Sequence, residues 1–226
     1  MKEILRSRIN LGTWAVFVVL VILALQNALS EDISVGNVHF YGDLDLSDHA
    51  KRLIWNATKV AVFLPVVVFW FLDRREALWK AVAASNALLT FDLLVSTSLL
   101  VANLATDASG RVNMLIRDTL LVMIINLLIF SLWYWIADSP KLRQGTGREK
   151  ERWDFLFPQR LSSIPGYGDW VPDYLDYIYL AFTASFTFGP ADTLPLSRRA
   201  KTLMILQVAV SVINIVVLAG YALSII

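Results

Sequence analysis

Five apolar blocks, each of about 20 residues, constrain this chain more than any other feature. They cover residues 11–29, 53–72, 81–104, 119–137 and 203–226. A helix rises about 1.5 Å per residue, so a block of this length crosses the roughly 30 Å hydrocarbon core of a bilayer. The pattern therefore predicts an all-α fold, a polytopic transmembrane helix bundle forming one domain over residues 1–226. A sixth apolar segment, 174–188, holds only about 15 residues and is short for a perpendicular crossing. It is expected either to span or to re-enter, which makes six apolar segments, five of them clear spans.

Composition agrees with that solvent. Of 226 residues 57% are hydrophobic and 17% charged, where soluble domains carry about a quarter charged residues. The lipid bilayer is thus the first partner. A formal net charge of +1 gives nucleic acid no electrostatic footing. The absence of cysteine excludes thiolate nucleophiles, disulfides and cysteine metal sites. Both histidines, His39 and His49, fall in one connection beside Asp43, Asp45 and Asp48, whose spacing fits no calcium loop. No metal and no cofactor are expected. Neither is a catalytic centre, because no nucleophile–base pair and no phosphate loop occur. The basic start, with Lys2, Arg6 and Arg8, looks like a signal peptide, but its apolar run is longer than such a region needs and is read as a retained span.

Charge in the connections orients the bundle. Arg74, Arg75 and Lys80 follow the second block, and Lys141, Arg143, Arg148, Lys150, Arg152 and Arg160 follow the fourth. An N-terminus in the cytoplasm places these basic connections inside, as the positive-inside rule requires. The polar stretch 138–170 then forms a cytoplasmic loop within the transmembrane domain. Arg198, Arg199 and Lys201 pull the start of the last block inward as well, which favours re-entry of 174–188 and an outside C-terminus; against this, an even number of spans with both ends inside is common, and six crossings are the first expectation.

Polar residues inside the blocks mark the candidate site. A carboxylate near the bilayer centre costs at least about 2.5–3.5 kcal/mol on insertion scales, so Asp92 must face protein or water. Counting rises from the block ends puts Asp92, Lys59 and Asn126 at similar depth, about 9–12 Å from the outer face. Lys59 and Asp92 are expected to pair, with the Asn126 amide filling the remaining hydrogen bonds. Asn214 lies near the middle of the last block. Three readings stand: structural glue between helices, a proton- or cation-handling site, or a Lys59 that snorkels to the surface and leaves Asp92 protonated. Ser85, Asn86, Ser96 and Thr97 make the third block one that packs on other helices rather than on lipid.

The stretch 172–201 carries the second set: Asp173, Asp176, Tyr177, Thr187, Asp192, Arg198 and Arg199. If it re-enters, Asp176 and Arg198 meet on one side and can pair. Two strings here resemble the potassium-channel filter, with its two-span pore module. Gly166-Tyr167-Gly168-Asp169 has the letters but no apolar helix before it. Thr187-Phe188-Gly189-Pro190-Ala191-Asp192 has the better setting, yet Pro190 and Ala191 replace the tyrosine and glycine whose backbone such a filter needs. A potassium-selective filter is not expected in either place.

In order along the last third run Phe157-Pro158, Pro172-Asp173-Tyr174-Leu175-Asp176-Tyr177-Ile178-Tyr179, Thr183, Thr187, Ala191-Asp192, Arg198-Arg199 and Asn214. This pattern resembles a family of bacterial polytopic inner-membrane proteins, a domain of unknown function. Tyr177 stands for its usual Phe, Ala191 for its Ser, and Gln207 where a His is common. The resemblance implies a multi-pass fold in a bacterial inner membrane and no particular activity. Two function classes follow: a channel- or transporter-like protein for a small ion or solute, and a structural or regulatory membrane protein docking a partner through its cytoplasmic loop. The letters name neither the solute nor the oligomeric state, and a homo-oligomer stays open.

Overall fold

A computed structural model describes residues 2–30, 33, 48–105, 112–138, 153–160, 170–190 and 192–223. His39, Asp43, Asp45, the mixed-charge run 148–152 and the glycine string 166–169 lie outside the described residues.

The apolar blocks form helices, and the chain is a polytopic all-α membrane bundle. The long helices are α1 (Lys2–Asn27), α2 (Asp48–Phe71), α3 (Arg75–Ala105), α4 (Val112–Asp138) and α6 (Arg198–Leu223). Leu53–Phe71, Glu76–Leu104, Val112–Asp138 and Arg198–Leu223 are long and apolar enough to cross a membrane, and Thr13–Asn27 of α1 is a shorter apolar helix. Most helices outrun the apolar blocks, because polar residues continue a helix into the headgroup region without breaking its hydrogen bonds. The sixth segment is helix α5 (Tyr174–Thr187), of 14 residues. A short antiparallel ribbon, β1 (Phe155–Leu156) with β2 (Leu194–Pro195), and a 3-10 turn, Pro158–Arg160, join the helices among the described residues.

The chain divides into two compact units. One comprises 1–126 with 213–226, the other 127–212. In the first, α1 buries Ala15, Val18, Val19, Ile22 and Gln26, a single stripe at helical spacing. Helix α3 buries Val82, Ser85, Asn86, Leu89, Leu93, Ser96, Thr97 and Leu100 along most of its length, as its small and hydroxylated residues predict. Helices α2 and α3 form a tight hairpin. Asp73 takes the left-handed conformation at φ 50°, and Arg74 N–H donates to the Phe69 carbonyl at 3.1 Å while Asp73 N–H donates to Trp70 at 3.3 Å. This Schellman closure satisfies carbonyls that a helix end would otherwise leave bare. Pro65 sits inside α2 and deprives that helix of one amide donor. Close by, the Ser85 hydroxyl of α3 donates to the Val62 carbonyl at 3.0 Å.

The second unit is organised around residues 153–160. Phe155 pairs with Pro195 and Leu156 with Leu194, and Leu196 N–H donates to the Asp154 carbonyl at 2.8 Å. Pro195 has no amide to give, so it is suited to a ribbon this short. The same segment meets the residues that precede α5, with the Phe157 and Trp170 rings 5.5 Å apart. Both flanks of α5 therefore converge on one stretch of chain.

Candidate functional site

Each unit holds a buried polar cluster. In the first, Lys59 of α2 and Asp92 of α3 approach with Nζ 3.5 Å from Oδ2, their side chains 6% and 5% exposed. Trp55, one turn before Lys59 on α2, donates its indole N–H to Asp92 Oδ1 at 3.2 Å. One carboxylate thus receives a cation on one oxygen and a neutral donor on the other. The spacing of Trp55 and Lys59, four residues apart, sets both on the face of α2 that meets α3. Val19, Leu23 and Phe63 line a shallow recess beside Lys59 and Ser85 that is too tight to admit a water molecule.

Asn126 is the third residue expected at this depth. It is buried on α4, but the hydrogen bond that completes Asp92 comes from Trp55. The physical reason is reach: an indole on the neighbouring turn of α2 already lies beside the carboxylate. Asn214 is fully buried on α6, and neither its amide oxygen nor its nitrogen hydrogen-bonds any described residue. Lys59 and Asp92 are the two candidate intramembrane residues that the structure brings together.

In the second unit the organising group is Asp138, the last residue of α4, whose side chain is fully buried. Its Oδ1 accepts the backbone N–H groups of Asp154 at 2.7 Å and Phe155 at 3.1 Å. Its Oδ2 accepts the Tyr177 hydroxyl at 2.8 Å and stands 3.6 Å from the Arg160 guanidinium. Arg160 in turn donates to the Phe155 carbonyl at 3.2 Å and stacks on Trp153, 3.4 Å above the ring centroid. A buried carboxylate with this many donors fixes the segment that carries them.

Helix α5 leaves this cluster with a capping box. Asp173 accepts the amides of Leu175 and Asp176, and the Asp176 carboxylate accepts Asp173 N–H at 2.7 Å. Asp176 and Arg198, expected to pair if the segment re-enters, form no ion pair among the described residues. Asp176 is used as a cap, Arg198 and Arg199 are exposed on the first turn of α6, and the contact across this stretch is the backbone pairing of β1 with β2. At the far end Phe188 adopts φ 58° and the Thr187 hydroxyl donates to the Thr183 and Gly189 carbonyls at 2.8 and 2.9 Å. Asp192 is exposed and accepts the Thr193 hydroxyl at 3.2 Å.

Farther along α6, Gln207 is fully buried and satisfied on every side. It donates to the Ala181 carbonyl at 2.8 Å and to Ser185 Oγ at 2.9 Å, and its amide oxygen accepts the Tyr134 hydroxyl. The Ser131 and Tyr174 hydroxyls share a further bond at 2.6 Å. These amide and hydroxyl groups tie α4, α5 and α6 at three levels. Among the described residues no group of histidines and carboxylates could hold a metal ion.

Asp138, Arg160, Trp55 and Gln207 were not among the residues singled out from the letters as a site. A signal existed for Asp138, a carboxylate three residues after the Trp133-Tyr134-Trp135 cluster at the end of an apolar block. For Trp55 the only signal was its four-residue spacing from Lys59. No family model, no curated protein and no solved structure matches the chain.

Proposed function

We propose that this membrane protein is channel- or transporter-like and handles a small ion or solute, with the Lys59–Asp92 pair as its charge-handling element. The observation that carries the reading is the pair itself. Two ionisable side chains, 6% and 5% exposed, sit inside helices that are apolar enough to cross a membrane. Ionisable residues at such depth are expensive, and they commonly mark ion or proton pathways. The geometry of the site suits that role: Asp92 has one oxygen on a neutral indole and one on Lys59, so a proton or cation can compete for the carboxylate only where Lys59 yields.

The test is reconstitution of the full chain in liposomes with a panel of monovalent cations and a pH-sensitive dye. Flux that falls in both Asp92→Asn and Lys59→Met, with the protein still folded, is the expected result. Equal flux in empty liposomes, wild type and variants overturns the reading.

A second reading has its own observation. Asp138 and Arg160 pin residues 153–160 of the polar loop into a fixed ribbon, which favours a structural or regulatory membrane protein presenting that loop to a partner. Resemblance to the bacterial inner-membrane family supports a multi-pass protein in either case.

A further inference from the structure

We infer that α5 is a re-entrant segment: it dips into the bilayer from the side on which α4 ends, returns to that side, and lays one aromatic face against lipid hydrocarbon. The assignment goes beyond the ion-handling reading and does not rest on it.

Three observations carry it. The first is where the flanks of α5 go. Trp170, before the helix, packs on Phe157, and Leu194 and Leu196, after it, pair with Leu156 and Asp154. Residues 154–157 are a few ångströms of chain, so the segment leaves and returns at the same place. They are tied in turn to Asp138, the end of α4.

The second is length. Fourteen residues of helix rise about 21 Å, less than the roughly 30 Å of hydrocarbon. From Phe188 to Leu194 the chain, if extended, covers about 20 Å, which suffices for the way back. The left-handed Phe188, followed by Gly189, makes the turn between the two limbs.

The third is the solvent implied by the side chains. Leu175, Tyr179, Phe182 and Phe186 recur at spacings of four, three and four, and each is at least half exposed. The opposite face, with Tyr174, Tyr177, Ala181 and Ala184, is buried. No charged residue occurs between Asp176 and Asp192, while Asp173 and Asp176 stand at one end and Arg198, Arg199 and Lys201 at the other. Exposed apolar residues also occur on α6 at Ile205 and Leu206, within a helix long and apolar enough to cross. An exposed aromatic stripe bounded by charge at both ends fits acyl chains. The backbone of the return limb then lies against protein or water rather than lipid, since non-helical backbone in hydrocarbon has no partners.

The chain has no cysteine, so single-cysteine variants report without a background. In sealed membrane vesicles of both orientations, a membrane-impermeant maleimide is expected to label Val171→Cys and Leu196→Cys from one side and Leu223→Cys from the other. Labelling of Val171→Cys and Leu196→Cys from opposite sides means that α5 crosses, and overturns the inference. A bimane on Phe182→Cys or Phe186→Cys, or on Tyr179→Cys, which disturbs no stacked ring pair, is expected to lose most of its fluorescence to brominated lipid and little to iodide. The reverse places the face in water. Protection from both quenchers places it under protein, as in contact with a second copy. Either outcome overturns the lipid assignment.

Discussion

The Tyr177 hydroxyl donates to the Asp138 carboxylate at 2.8 Å, joining the first turn of α5 to the last residue of α4. The bond matters because of what shares the carboxylate. Asp138 also receives two amides from 154–155 and faces Arg160, so it is the common anchor of α4, the ribbon and α5. Tyr177→Phe removes one donor and leaves the others, and is expected to cost about 1–2 kcal/mol. Asp138→Ala strands buried amides and a cation together and is expected to cost about 3–5 kcal/mol. Thermal unfolding in detergent, followed by circular dichroism, ranks the two. A milder effect for Asp138→Ala than for Tyr177→Phe would remove the anchor role.

The Lys59–Asp92 pair makes a different demand. Removing one member leaves a buried charge without its counterion, at about 3–5 kcal/mol, whereas removing both leaves only a polar deficit at Trp55. Lys59→Met and Asp92→Leu are therefore expected to destabilise strongly alone and less in combination than their sum. A double-mutant cycle on unfolding midpoints measures that coupling. Additive effects would mean that the two groups do not sense each other across the 3.5 Å separation.

These two clusters differ in how far the sequence announces them. Depth counting along apolar blocks places Lys59 and Asp92 together because helix rise is uniform and the connection between α2 and α3 is short. The same count brings Asn126 to that depth, and depth alone says nothing about azimuth, which is why Trp55 rather than Asn126 completes Asp92. The clear spans are legible for a similar reason: hydrocarbon thickness fixes block length. The β1–β2 ribbon is not, since two residues on each strand carry no period, and its partners, Phe155 with Pro195 and Leu156 with Leu194, lie far apart along the chain. Asp138 is hidden likewise. Two of its donors are backbone amides, which have no letters. The capping box at Asp173 and Asp176 could be read as a cap, but the two carboxylates look equally suited to pairing with Arg198 until the helix start is known.

Gln207 illustrates a residue whose role depends on neighbours the sequence does not show. Its amide nitrogen serves α5 at Ala181 and Ser185 while its oxygen serves Tyr134 of α4. Gln207→Leu is nearly isosteric but leaves the Tyr134 hydroxyl and Ser185 buried without that partner, and is expected to cost about 1–3 kcal/mol. Gln207→Glu keeps the shape and removes a donor; its loss of stability is expected to be smaller at low pH, where the acid is neutral and donates again. Unfolding of both variants across pH separates a hydrogen-bond role from simple packing, which would make Gln207→Leu neutral at every pH.

The cap of α5 gives a smaller and more local effect. Asp173 satisfies two amides of the first turn that no other described group reaches. Asp173→Ala is expected to cost about 1 kcal/mol and Asp173→Asn or Asp173→Ser much less, the usual ordering at an N-cap. Hydrogen exchange at Leu175 and Asp176 reads the effect directly. Faster exchange confined to that turn is the expected outcome, and unchanged protection would show that the cap does not hold the helix start.

Close packing of α6 on α3 sets the last expectation. At Gly220 an added Cβ would stand 2.9 and 3.0 Å from the two terminal methyls of Leu104, while the neighbouring Tyr221 hydroxyl is fixed on the Leu100 carbonyl at 2.7 Å. The obstruction is the far end of a flexible side chain, so Gly220→Ala can be absorbed by a shift of Leu104. Its helix-propensity gain of up to about 1 kcal/mol offsets the crowding, and the net change is expected to be small. Gly220→Leu cannot be absorbed that way, because Tyr221 holds the backbone in place, and overpacking of this kind costs about 1–3 kcal/mol. Combining Gly220→Leu with Leu104→Ala frees the volume and should restore part of the loss. If the double variant is no more stable than Gly220→Leu alone, the small residue is there for a reason other than the contact with Leu104.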